Sequence, residues 1–66
     1  MKIVLNGHDR DIAAATSLTG LLESAGYAGR RIAVEINREI VPRSQYPARM
    51  LEPGDRIEIV QAIGGG

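Results

Sequence analysis

The sequence predicts a small α+β domain: one main helix lies on one face of a mixed sheet of about five strands, in the order β-β-α-β-β-β. Three observations lead there. In the runs KIVLN, RIAVEIN and RIEIV, apolar residues alternate with others at the period of a half-buried strand. Asn6-Gly7 and Asn37-Arg38 fall beside such runs, where tight turns belong. Leu18, Leu21, Leu22 and Ala25 recur at i, i+3, i+4 and i+7, the stripe of a single amphipathic helix.

Each element has its own reason. Lys2–Asn6 is a β-rich run with Ile3 and Leu5 on one face. Asn-Gly is the strongest short hairpin signal, because both residues tolerate positive φ. Arg10–Ala14 is then the expected return strand, with Ile12 and Ala14 facing inward. Ser17 is a good N-cap, its hydroxyl accepting from an early helical N–H. Gly26 sits where a left-handed residue ends a helix, while Gly20 weakens the interior by about 1 kcal/mol relative to alanine. So short a helix is marginal alone and must pack its leucines on the sheet.

Arg31–Arg43 reads as a second hairpin, with Ile32, Val34 and Ile36 inward and Asn37 in a left-handed conformation at the turn. Pro42 ends the pairing by removing a donor. SQYPARMLEPGD is a loop with one helical turn near Ser44–Ala48, closed by a Glu52–Asp55 turn. Arg56–Val60 is the last strand, Ile57 and Ile59 inward. The division is a folded body over residues 1–61 and a flexible tail over 62–66, AIGGG. Pattern alone leaves the strand order open.

Composition removes several classes of function. Sixty-six residues make one domain of modest stability, and the chain has no cysteine to staple it. A single histidine, His8, argues against a zinc cluster and reads as a turn residue. Eight basic and eight acidic residues cancel, leaving no basic stripe for nucleic acid. Two tyrosines are the only aromatics, too few for a base-stacking platform. No apolar run approaches the roughly 20 residues of a membrane helix. The N-terminus lacks the apolar region of a signal peptide, so a soluble, cytoplasmic domain is expected. No paired catalytic groups appear, so the chain is not expected to be an enzyme in its own right.

AVEINREIVPR (33–43), GDRIEIVQAIGGG and the overall length resemble the thiamine-pathway sulfur carrier family, ThiS, across the whole chain. The resemblance implies a ubiquitin-like β-grasp fold, with the first and last strands parallel and adjacent at the sheet centre. It also implies three partners: a ubiquitin-activating-type adenylyltransferase that uses ATP, a cysteine desulfurase as sulfur source, and a thiazole synthase as recipient. The sequence departs from the family's expected pattern at Thr19-Gly20, which is softer than the charged residues anticipated after the helix cap.

The glycines suit that chemistry. A carboxylate is a poor acyl donor until transfer to the α-phosphate of ATP gives an acyl-adenylate. Sulfide then displaces AMP and leaves a thiocarboxylate. Without Cβ atoms, Gly65 and Gly66 can pass a narrow channel, and the carboxyl carbon of Gly66 is open to attack. Gly64 is either part of the reactive tail or a spacer. Residues 62–66, fully extended, reach roughly 17 Å. The carrier itself needs no cofactor, metal or general base.

Ala62, Ile63 and Val60, with Val4 as a further member, are candidates for an apolar docking patch. Arg43 is a candidate to pair with an acidic site on a partner. Rival readings are the small subunit of molybdopterin synthase, which shares the fold and diglycine but is usually longer and richer in aromatics, and a ubiquitin-like binding module that is never acylated. An inert frayed end competes on the tail alone.

Overall fold

The computed structural model describes residues 1–61. Its elements are β1 (Lys2–Leu5), β2 (His8–Asp11), α1 (Leu18–Ser24), β3 (Ile32–Ile36), β4 (Glu39–Val41), a short 3-10 turn (Arg43–Gln45) and β5 (Arg56–Gln61). The strands form one sheet in the order β2-β1-β5-β3-β4. β1 and β5 are parallel, and the other pairs are antiparallel. The last strand therefore occupies the middle of the sheet.

Local chemistry explains both hairpins. Asn6 (φ 48°) and Gly7 (φ 82°) are both left-handed, as are Asn37 (φ 53°) and Arg38 (φ 70°). Two positive-φ residues make the turn whose twist matches that of the strands it joins. Pairing accordingly resumes at once, Leu5 opposite His8 and Ile36 opposite Glu39.

This register corrects the expected β2. The strand runs His8–Asp11 rather than Arg10–Ala14, because a two-residue turn leaves no gap before it. Its sequence HDRD is wholly polar, which suits an edge strand that must discourage pairing with other chains. Ile12 lies past the strand, where its N–H donates to the Met1 carbonyl at 2.8 Å and its side chain packs against the core. Ala14 is exposed rather than inward.

The helix is capped as expected. Ser17 Oγ accepts from the Gly20 N–H at 3.0 Å. At the other end, Gly26 (φ 88°) donates to the Glu23 carbonyl and Tyr27 donates to Leu22 at 2.8 Å, the paired bonds that close a helix through a left-handed glycine. Seven residues cannot hold a helix by themselves. Leu18, Leu21 and Leu22 are buried against Ile3, Val34, Ile36, Ile57 and Ile59 from the sheet.

The segment between β4 and β5 crosses back over the helix start. The Leu18 N–H donates to Arg49 at 2.8 Å and the Thr19 N–H to Tyr46 at 3.2 Å, so two helical donors without intrahelical partners are satisfied by this loop. Leu51 N–H in turn donates to the Thr16 carbonyl at 2.9 Å. The 3-10 turn begins at Arg43, one residue before the expected Ser44, and covers Arg43–Gln45 rather than extending to Ala48. Tyr46 then turns inward and joins the buried core.

Candidate functional site

β5 is held on both sides. Its ladder with β3 runs from Ile36–Ile57 to Ile32–Gln61, and its parallel ladder with β1 includes Val4–Arg56 and Leu5–Ile57. An asparagine from each hairpin turn extends the grip. On the β1 side, the Asn6 N–H donates to Ile57, and Asn6 Oδ1 accepts from the Ile59 N–H at 2.7 Å. The side chain thus stands in for a backbone carbonyl and carries the ladder beyond the end of β1.

On the β3 side, Asn37 Oδ1 accepts from the Arg56 N–H at 3.0 Å, and the Asn37 N–H donates to the Arg56 carbonyl at 2.8 Å. Asn37 Nδ2 donates to Asp55 Oδ1 at 3.0 Å, and Asp55 Oδ2 accepts from the Glu52 N–H at 2.8 Å. Asp55 is the buried charged residue of the described chain, and both of its oxygens are engaged. The entry to β5 is therefore held on both sides, and its middle by the ladder with β3 and the Asn6–Ile59 bond.

The strand ends at Gln61, paired with Ile32. The expected tail residues Ala62, Ile63, Gly64, Gly65 and Gly66 lie outside the described residues. Of the other candidates, Val60 projects from the face opposite the helix and is 65% exposed. Ala33 is its neighbour on β3, also exposed. Val4 shares that face but is half-buried and sits beside Arg56, four residues earlier on β5. At about 3.3 Å per residue it is roughly 13 Å from Val60. Glu58 and Glu35, directly opposite one another, occupy the intervening stretch of β5 and β3. Val4 and Val60 are thus two separate apolar positions on one face.

Arg43 belongs to neither. It is exposed at the start of the 3-10 turn and lines a cavity of about 260 Å³ on the helix side of the sheet, with Leu22, Tyr27, Arg30, Ile32 and Tyr46 among the other walls. The sequence reading missed this cavity and missed the clamping roles of Asn6, Asn37 and Asp55. The asparagines were visible only as turn formers, because their partners are 19 and 53 residues away.

Among the described residues, no three His, Cys, Asp or Glu side chains gather as a metal site would require. No helix among them is long and apolar enough to cross a membrane.

A mixed five-stranded sheet with its last strand in the centre and a single helix across one face is the ubiquitin-like β-grasp fold. Comparison with known proteins narrows the class. The sequence matches the ThiS family over residues 3–66, and the chain belongs to that family. It is 35% identical over its full length, and over the full length of the relative, to the sulfur carrier protein ThiS of Escherichia coli. It is similar to thiazole synthases of Paramagnetospirillum magneticum (46% identity) and Magnetococcus marinus (47%), with the whole chain aligned in each case. The chain spans about a fifth of the length of these two relatives, 20% of each. The crystal structure of a thiamine biosynthesis protein, ThiS, from Geobacter metallireducens superposes with a TM-score of 0.87 at 29% identity, with both chains fully covered.

Proposed function

We propose that the protein is a sulfur carrier for thiazole formation in thiamine biosynthesis, and that the group it carries is a thiocarboxylate at Gly66. The observation behind this reading is the placement of β5. It is the central strand, clamped by Asn6 and Asn37, and it ends five residues before Gly66. A short glycine-terminated segment attached to the most constrained strand of the sheet can be presented to an enzyme while the body stays docked outside. Family membership and the E. coli relative's name support the same reading.

The chemistry takes two steps. A carboxylate oxygen of Gly66 attacks the α-phosphorus of ATP, the bond to the β-phosphate bridging oxygen breaks, and pyrophosphate leaves. Hydrosulfide then attacks the carbonyl carbon, the acyl–oxygen bond to AMP breaks, and a thiocarboxylate remains with loss of one proton. The adenylating enzyme supplies the catalytic groups, a cysteine desulfurase supplies the sulfur as a persulfide from which a reducing thiol releases hydrosulfide with formation of a disulfide, and a thiazole synthase receives it. This chain contributes an unhindered carbonyl and a rigid mount. Matches that place a region like this chain inside thiazole synthases support the last partner.

Intact-protein mass spectrometry tests the reading. After incubation with the adenylyltransferase, ATP and a sulfur source, the C-terminal peptide gains the mass of one O-to-S replacement. Deleting Gly66 removes the gain and leaves thermal melting almost unchanged. An unchanged wild-type mass with a verified active partner favours a ubiquitin-like module that is never acylated.

A further inference from the structure

We infer that the cavity between the helix and the start of β3 is a second docking point, and that it receives an apolar side chain from an acidic segment of the thiazole synthase. This rests on the carrier reading above. The cavity lies at the end of the sheet from which the tail departs, because Ile32 is both one of its walls and the partner of Gln61. A protein that accepts the tail there meets this surface next.

The interior of the cavity has an apolar side, formed by Leu22, Ile32 and Tyr46. At about 260 Å³ it is smaller than the roughly 300–1,000 Å³ of ordinary small-molecule sites and suited to a single anchoring side chain. Its rim is basic. Arg30 and Arg43 line it against one carboxylate, Glu23. The whole chain is electrically neutral, so this end carries a local positive excess that calls for acidic groups on the partner.

The rim is also pre-set by the backbone. The Arg30 N–H donates to Tyr27 at 3.1 Å across a turn in which Gly29 is left-handed (φ 77°). On the other side, the Arg43 carbonyl accepts from the Tyr46 N–H at 3.1 Å. Both arginines are exposed, yet each stands on a fixed turn, which lowers the ordering cost of binding. Thiazole synthase is the partner of choice because a region similar to this chain makes up a fifth of proteins of that name.

The experiment measures the dissociation constant of the full-length protein for purified thiazole synthase and, separately, for the adenylyltransferase. Wild type is compared with Arg30→Glu, Arg43→Glu, their combination, and Arg43→Lys. The double reversal is expected to weaken thiazole synthase binding at least tenfold, with the wild-type affinity falling as salt rises. Arg43→Lys retains most of the affinity, and adenylyltransferase binding changes less than twofold. The single reversals decide the matter should the double variant fail to fold. A change below twofold for thiazole synthase, or a loss confined to the adenylyltransferase, overturns the assignment. So does a wild-type protein that does not bind thiazole synthase. A wild type that binds but never gains sulfur sinks the carrier reading alone, and the affinity ratios still decide the role of the cavity.

Discussion

Asn6 Oδ1 lies 2.7 Å from the backbone nitrogen of Ile59 and accepts its hydrogen bond across 53 residues of sequence. One side chain thus forms the left-handed turn of the first hairpin and holds the middle of the last strand. The two roles can be separated. Asn6→Gly keeps the turn and removes the side chain, leaving the Ile59 amide without its acceptor, at about 1–3 kcal/mol. Asn6→Ala adds strain at a positive-φ position and costs more. Urea denaturation of both variants checks the ordering. Equal stability of Asn6→Gly and wild type would show that the clamp contributes nothing.

Asp55 should be similarly sensitive. It is 7% exposed and accepts from both Asn37 Nδ2 and the Glu52 N–H. Asp55→Ala leaves two donors unpaired, at about 1–3 kcal/mol each as an upper range. Asp55→Asn offers one acceptor oxygen instead of two and is expected to fall between alanine and wild type. Thermal melting of the two variants gives that ranking.

Gly20 is a soft point in the helix. A Cβ there meets Thr16 Cγ2 at 3.4 Å and Ser17 Oγ at 3.5 Å, which are ordinary contacts. Gly20→Ala should therefore stabilise the fold by about 0.5–1 kcal/mol. A lower melting temperature for this variant would show that the added methyl does not fit beside Thr16 and Ser17.

Val60 tests the sheet face opposite the helix. It is 65% exposed but lies in the central strand, so Val60→Asp should cost about 1 kcal/mol of folding stability, the span of strand propensity, and leave the domain folded. If the adenylyltransferase docks on this end of the sheet, the same variant slows adenylation at least tenfold. Unchanged adenylation, followed by release of pyrophosphate, would place docking elsewhere.

The fold was legible where chemistry is local. Asn6-Gly7, Asn37-Arg38, Ser17 and Gly26 each determine a turn or cap through their own backbone preferences, and the structure has all four. The alternation of Ile57 and Ile59 with Arg56, Glu58 and Val60 fixed which face of β5 is buried. β2 was misplaced because HDRD carries no apolar alternation; its position follows from the length of the preceding turn. The strand order required the family resemblance, since no residue in β1 announces the parallel partnership of Val4 with Arg56 and Leu5 with Ile57. The polar clamps and the Arg30–Arg43 cavity escaped for the same reason. They exist only once segments distant in sequence are brought together.

The central position of β5 also governs how the molecule comes into being. Before that strand arrives, the β1–β2 and β3–β4 hairpins have no shared ladder, and the leucines of α1 lack Ile57 and Ile59 beneath them. A nascent chain still short of residue 56 therefore holds two hairpins with no ladder between them, and loop-closure entropy must be overcome before long-range contacts repay it. Assembly is all-or-nothing and late. The segment that follows β5 gains a folded body behind it only after the ribosome has made nearly the whole domain, so an unfinished copy presents no finished sheet face for docking.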